Sequence, residues 1–229
     1  MRLNKYLADV GVASRRGADV FIRAGAVSVN GKRASLGADV DPAADDIRLH
    51  GKRVVATAET HVTIALHKPA GVVTTMRDER GRPSVASLMP PGRRLFPIGR
   101  LDAATTGLLL CTSDGELARV LMHPKFAVER EYEVEVGGEP GAAAVEKLGA
   151  RKVRGNPNGT FCFSMTLRSG KNREIRRACA QAGLRVTALK RTRYGPVRLG
   201  RLRAGDHRAL DSAEIQALQA LLTAHRNRG

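Results

Sequence analysis

The most constraining stretch of this chain is Arg130-Glu131-Tyr132-Glu133-Val134-Glu135-Val136, where from Glu131 to Val136 charged and apolar residues alternate without a break, so a strand is expected at 131–136. Side chains along a strand point to opposite faces with a period of two. Tyr132, Val134 and Val136 therefore share one face, and Glu131, Glu133 and Glu135 share the other. The Glu row reads as a solvated face and not as an acid–base pair. Tyr132 is either a core residue or a ring presented into a cleft. Further strands are expected at 62–66, 71–75, 108–112, 161–167 and 185–189, and helices at 114–122, 142–148, 173–181 and 212–222. Strands and helices intermix without a regular βαβ rhythm. That order predicts an α+β domain around a mixed, mostly antiparallel sheet.

The N-terminal segment is organised differently. Leu3, Tyr6, Leu7 and Val10 recur at helical spacing, and Gly11 follows as a stop. Ser14 is placed to cap a second helix with Val20, Phe21 and Ala24 as its apolar stripe and Gly25 at its end. Val27 and Val29 then alternate with polar residues before Asn30-Gly31, a hairpin turn signal. Residues 39–46 read as an acidic loop, Ile47, Leu49, Val54 and Val55 as short strands, and 56–61 as a linker. Two domains are expected, 1–59 and 60–229.

Charge narrows the function. The chain carries 39 Lys+Arg against 22 Asp+Glu, a net +17. Residues 168–203 hold twelve Lys/Arg and one Glu, leaving +11 in that stretch. Such density favours a polyanion, and nucleic acid is the common case. Aromatics are 3% and Trp is absent, which favours phosphate contact and shape reading over broad base stacking. No apolar run reaches the roughly 20 residues of a membrane span, no basic amphipathic helix with bulky aromatics is evident, and the N-terminus lacks the apolar core of a signal peptide. The expectation is a cytoplasmic protein with no membrane partner. Cys111, Cys162 and Cys179 have no metal-ligand spacing and are expected to be structural thiols.

Chemistry concentrates in a few segments. In 97–115, Gly99 and Gly107 bracket the polar residues Arg100, Asp102, Thr105 and Thr106, with apolar residues on either side. This reads as a loop between two buried strands, with a carboxylate facing a cleft. A lone Asp there would more simply cap a turn. His67-Lys68-Pro69-Ala70-Gly71 ends a strand with a cation and a turn. Ser169 to Arg177 is a glycine turn entering a helix, with Arg173 and Arg176 three apart on one face and Ile175 and Cys179 toward the core.

Two resemblances bind these segments together. RLNKYLADVGVASRRGADVFIRAGAVSVNGK resembles the S4 RNA-binding domain (αL type). GRLDAATTGLLL, LMHPKFAVEREYEVEV, GKNREIRR and LKRTRYGPVRL resemble the RsuA/RluB/RluE/RluF branch of pseudouridine synthases, and within it the RluB type, which modifies large-subunit ribosomal RNA. The resemblance implies a pseudouridine synthase catalytic domain behind an S4 domain. It implies Asp102 as nucleophile, Tyr132 stacking on the target base, and Arg176, rather than Arg173 or Arg177, as the ion-pair partner of Asp102. Lys68, Arg100, Asn172 and Arg173 would contact substrate. In the S4-like segment, Arg2, Lys5, Ser14, Arg15, Arg16, Arg23 and Lys32 would contact RNA. His67 stands where Asn is frequent in the family.

The chemistry suits these residues. Isomerising uridine breaks N1–C1′ and joins C5 to C1′ without net gain of atoms or electrons, so no cofactor and no metal are expected. The base must first leave its stack, which costs a few kcal/mol. An ionised carboxylate can then attack C1′ or C6, or take the 2′-proton to give a glycal. Burial opposes carboxylate ionisation, and a guanidinium that cannot lose its proton opposes burial. The expected partner is ribosomal RNA, free or in an assembling subunit, bound by a monomer. Rival readings are the same chemistry on small-subunit ribosomal RNA or tRNA, a non-catalytic assembly chaperone, and a hydrolase pairing Asp102 with His67 or His123.

Overall fold

A computed structural model describes residues 1–55 and 61–226. The chain divides into two compact units, Met1–His61 and Val62–Gly229. The expected linker at 56–61 lies outside the described residues except for His61.

In the first unit, α1 (Leu3–Asp9) buries Leu3, Tyr6 and Leu7, and α2 (Arg15–Arg23) starts at Ser14. The Ser14 hydroxyl accepts from the Gly17 amide at 2.9 Å, a cap worth about 1 kcal/mol. The expected apolar stripe of α2 is rotated. Ala18 and Ile22 are its buried residues, and Val20 is 57% exposed. The packing partners decide this, because Leu7, Val27 and Ile47 form the core that α2 meets. β1 (Val27–Val29) turns at Asn30-Gly31 into β2 (Lys32–Arg33), with φ of +51° and +77° at the two turn residues. Both positive values define the turn that matches strand twist. β3 (Ile47–Leu49) and β4 (Lys52–Arg53) complete an antiparallel sheet of order β2-β1-β3-β4. Val54 and Val55 lie beyond its last strand.

The second unit is built on a nine-stranded sheet. In chain order it uses β5 (Thr63–Lys68), β6 (Phe96–Pro97), β7 (Thr106–Thr112), α3 (Gly115–Met122), β8 (Arg130–Gly137) and α4 (Ala142–Leu148). Then come β9 (Arg151–Gly155), β10 (Thr160–Leu167), α5 (Glu174–Gln181), β11 (Arg185–Tyr194), β12 (Val197–Arg198), β13 (His207–Ala209) and α6 (Ser212–Arg226). The sheet order is β13-β5-β7-β11-β8-β10-β9, with β12 on β11 and β6 on β7. Among the described residues every pairing is antiparallel except β7 with β11.

β7 is buried on both faces, which explains its unbroken apolar run. Leu109 and Cys111 join Tyr132, Val134, Ile175 and Cys179 on one side. Leu108 and Leu110 join α3 and α6 residues on the other. Asp114 caps α3 by accepting from the Glu116 and Leu117 amides at 2.8 and 3.0 Å. The strand expected at 71–75 is reduced to a single Val73–Ser84 bridge. Thr74 makes its side-chain bonds to Leu101 instead, donating to the carbonyl at 2.7 Å and accepting from the amide at 3.2 Å.

Candidate active site

The loop between β6 and β7 carries Asp102, and four fastenings fix it. Thr74 clamps Leu101 as above. The Gly71 amide donates to the Ala103 carbonyl at 2.9 Å, and the Thr105 amide donates to the Asp102 carbonyl at 2.9 Å. Lys68 supplies the fourth from beneath. Its Nζ donates to the carbonyls of Pro69 (2.8 Å), Val72 (2.8 Å) and Ala103 (3.3 Å). Three ammonium protons thus meet three acceptors, at a residue 0% exposed. Burial pulls this lysine from 10.5 to about 8, and the nearby Asp102 charge opposes that shift. The expected substrate contact by Lys68 is therefore corrected. Its head is committed to backbone under the loop and does not line the cavity.

The far end of the loop depends on Gly107. Here β7 runs beside β11 in register Gly107–Arg191. A Cβ at position 107 would lie 2.3 Å from the Arg191 carbonyl oxygen, and φ is +103°. Only glycine admits this approach.

Asp102 opens on a cavity of about 450 Å³ that also receives Arg100, Tyr132, Asn172, Arg173 and Arg176. Tyr132 is 9% exposed and packs in the core while lining this cavity, so both readings of its ring apply. The cavity wall holds six Lys/Arg (Arg100, Arg130, Lys171, Arg173, Arg176, Arg191) and two acids (Asp102, Glu174). Glu174 accepts from the Ser169 hydroxyl.

The ion pair expected of Arg176 is made by Arg173. Arg173 Nη1 lies 3.5 Å from Asp102 Oδ2, with the carboxylate side chain 39% exposed. Arg173 is the N-cap residue of α5 and holds a left-handed backbone, φ +48°. For a non-glycine residue that conformation costs roughly 1–3 kcal/mol. Arg176, within the first turn of α5, instead donates to the Val186 carbonyl at 3.4 Å, and its Nε is buried without a partner.

Sequence reasoning missed Arg130 and Arg191. Both line the cavity and both are buried. Arg191 was counted with the basic surface stretch, yet it is 2% exposed. For Arg130 a signal existed, because it shares the alternation phase of Tyr132. His67 and His123 do not line the cavity. The His67 ring is 2.7 Å from the Leu202 carbonyl, and His123 Nδ1 accepts from the Lys125 amide. The three cysteines are free and buried, and burial pushes the Cys111 thiol up to about 12. Among the described residues, no group of three or more His, Cys, Asp or Glu could hold a metal ion, and no helix is long and apolar enough to cross a membrane.

In the first unit, the expected RNA contacts fall into two groups. Arg2 pairs with Asp39 at 3.1 Å and Lys5 with Asp9 at 2.8 Å, while the Ser14 hydroxyl is the α2 cap. Arg15, Arg16, Arg23 and Lys32 are exposed.

Comparison with known proteins gives a consistent result. A family model described as RNA pseudouridylate synthase matches residues 62–181, and an S4 domain model matches 1–46. A ribosomal large subunit pseudouridine synthase B of Xylella fastidiosa is 40% identical over 244 residues, covering 96% of this chain and 51% of that protein. An uncharacterised RNA pseudouridine synthase of Mycobacterium tuberculosis is 41% identical over 239 residues, covering 95% of this chain and 92% of the relative. This chain spans about half the length of the Xylella and Xanthomonas relatives, 51% and 49%. A crystal structure of a pseudouridylate synthase superposes with a TM-score of 0.64 at 26% identity, covering 95% of this chain and 99% of the other.

Proposed function

The chain belongs to the RNA pseudouridylate synthase family and carries an S4 domain ahead of it, and from that premise we propose that it isomerises a uridine of large-subunit ribosomal RNA to pseudouridine, with Asp102 as nucleophile. One observation carries the reading: a half-exposed carboxylate on a four-times-fastened loop, 3.5 Å from a guanidinium, at the edge of a cavity lined by six cations. A cavity of about 450 Å³ suits a flipped base with its ribose. The target uridine leaves its stack and its ring packs on Tyr132. Arg173 orients the Asp102 carboxylate from 3.5 Å, and Lys68 holds the loop from behind. Arg100, Lys171 and Asn172 meet the flanking backbone. Arg176 adds positive potential from the α5 wall. The carboxylate then attacks C1′ or C6, or takes the 2′-proton.

The large-subunit target draws on the Xylella relative, whose name assigns it to that subunit. In the first unit, Arg15, Arg16, Arg23 and Lys32 grip RNA phosphates, adding affinity and not chemistry. Removing them should shallow the salt dependence of RNA binding, and an unchanged slope would count against that role. The protein acts as a monomer in the cytoplasm, on free RNA or an assembling subunit. Pseudouridine mapping of RNA from a deletion strain tests the whole reading. One missing large-subunit modification supports it. A loss in small-subunit RNA or tRNA moves the target, and an unaltered map with disturbed assembly replaces the enzyme with a chaperone.

A further inference from the structure

Two guanidiniums in the cavity wall are buried with no carboxylate beside them among the described residues. Arg130 donates to the carbonyls of Ser169 (3.0 Å) and Leu121 (2.8 Å) and to the Tyr194 hydroxyl (3.0 Å). Arg191 donates from Nε to the Leu108 carbonyl at 2.7 Å, while its Nη2 is buried without a partner. Both lie against the Tyr194 ring, 4.7 and 4.9 Å from its centroid. A buried charge without a counter-charge is costly to keep. Its position explains what it is kept for. Arg191 faces Tyr132 across one ladder and Gly107 across the other, between the stacking ring and the strand that follows the Asp102 loop.

We propose that Arg191, supported by Arg130, sets a fixed positive potential in the cavity that stabilises the detached base as an anion. The inference rests on the pseudouridine reading above. When N1–C1′ breaks, the bonding pair leaves on N1 and spreads onto O2 and O4. C1′ takes a pair from an Asp102 oxygen, or from its C2′–H bond as that proton passes to Asp102. The turned base later returns a pair from C5 to C1′, which frees the carboxylate or lets C2′ recover its proton. The C5 proton is then lost and N1 gains one. Between these steps the cavity holds a negative base. Arg173 faces Asp102, so a separate cation must face the base. A guanidinium keeps its proton throughout, and a charge already fixed by packing need not reorganise at the moment of cleavage.

The test uses the full-length protein and the ribosomal RNA fragment that wild type modifies, under single-turnover conditions. Arg191→Met should fold with an undiminished Tm, because an apolar side chain replaces an uncompensated charge. Its rate should fall roughly 10²-fold, with RNA affinity unchanged. Arg191→Lys should recover part of the rate. With 5-fluorouridine at the target position, fluorine itself stabilises the base anion, so the penalty for Arg191→Met on nucleoside disappearance should shrink. An unchanged rate, an equal penalty with both bases, or a loss seen only in affinity would overturn the proposal, the last assigning Arg191 to a phosphate. If Arg191→Met does not fold, Arg191→Lys on the two bases decides by the same comparison. A wild type that makes no pseudouridine in any ribosomal RNA overturns the parent reading with this one. An active wild type with an indifferent Arg191→Met overturns this one alone.

Discussion

On the outer face of β8, Glu131 lies 3.2 Å from Arg193 and Glu133 lies 3.2 Å from Arg154, while Glu135 accepts from the Thr187 hydroxyl. On the cavity face of the same strand stands Arg130, with Arg191 beside it on β11, and neither meets a carboxylate among the described residues. One sheet thus carries its charge in two ways. Outside, opposite charges are matched, and the exposed Arg154–Glu133 pair contributes about 0–1 kcal/mol. Inside, like charges are buried together and face a cavity. Matched charge keeps a surface soluble. Unmatched charge waits for a ligand of the other sign.

The largest effects should come from the cavity face. Tyr132→Ala should cost roughly 3–5 kcal/mol of stability in denaturant unfolding and nearly all activity, since it empties the core and removes the ring that the proposed reading places against the base. Tyr132→Phe should keep most of both. Equal activity in the two variants would reduce Tyr132 to a core residue. Next, Gly107→Ala should cost about 3 kcal/mol, because a Cβ meets the Arg191 backbone and φ is positive. A near-neutral result would contradict the close β7–β11 seam.

Lys68 adds a pH test with two readouts. Its folded pKa of about 8 lies below the ordinary 10.5. Between those values the folded protein binds fewer protons than the unfolded chain, so this group makes stability rise with pH. Activity should move the other way. Above about pH 8 a neutral amine has two protons for three carbonyls and no charge behind Asp102. A rate that stays flat through that window would remove Lys68 from the account. The smallest effect is on the outer face. Glu133→Gln should change stability by less than about 1 kcal/mol and leave the rate alone. A large rate effect there would erase the contrast between the faces.

The sequence carried much of this in its local patterns. Alternation over 131–136 placed β8 within one residue at each end, and the helix expected at 114–122 is α3, with Asp114 as its cap and not its first turn. The glycines around Asp102 marked a loop, and only the resemblance of GRLDAATTGLLL to the pseudouridine synthases singled out its carboxylate. Other features needed the third dimension. β9 has no alternation and is exposed along its whole length, so only pairing with β10 makes it a strand. Arg173 and Arg176 are indistinguishable by spacing, and a left-handed backbone at Arg173 decides which one meets Asp102. Lys68 read as a substrate contact, and Arg191 as one more cation of the basic stretch. Each is interior because backbone carbonyls, distant in sequence, converge on it.

Asp102 remains the residue on which the functional account turns. The most direct measurement incubates purified wild type and Asp102→Asn with large-subunit ribosomal RNA and reads pseudouridine by nucleoside mass spectrometry, alongside RNA affinity and Tm. The account predicts product from wild type and none from Asp102→Asn, with affinity and Tm retained. Pseudouridine formed by Asp102→Asn at the wild-type rate, or a variant that loses fold and binding together, would contradict it.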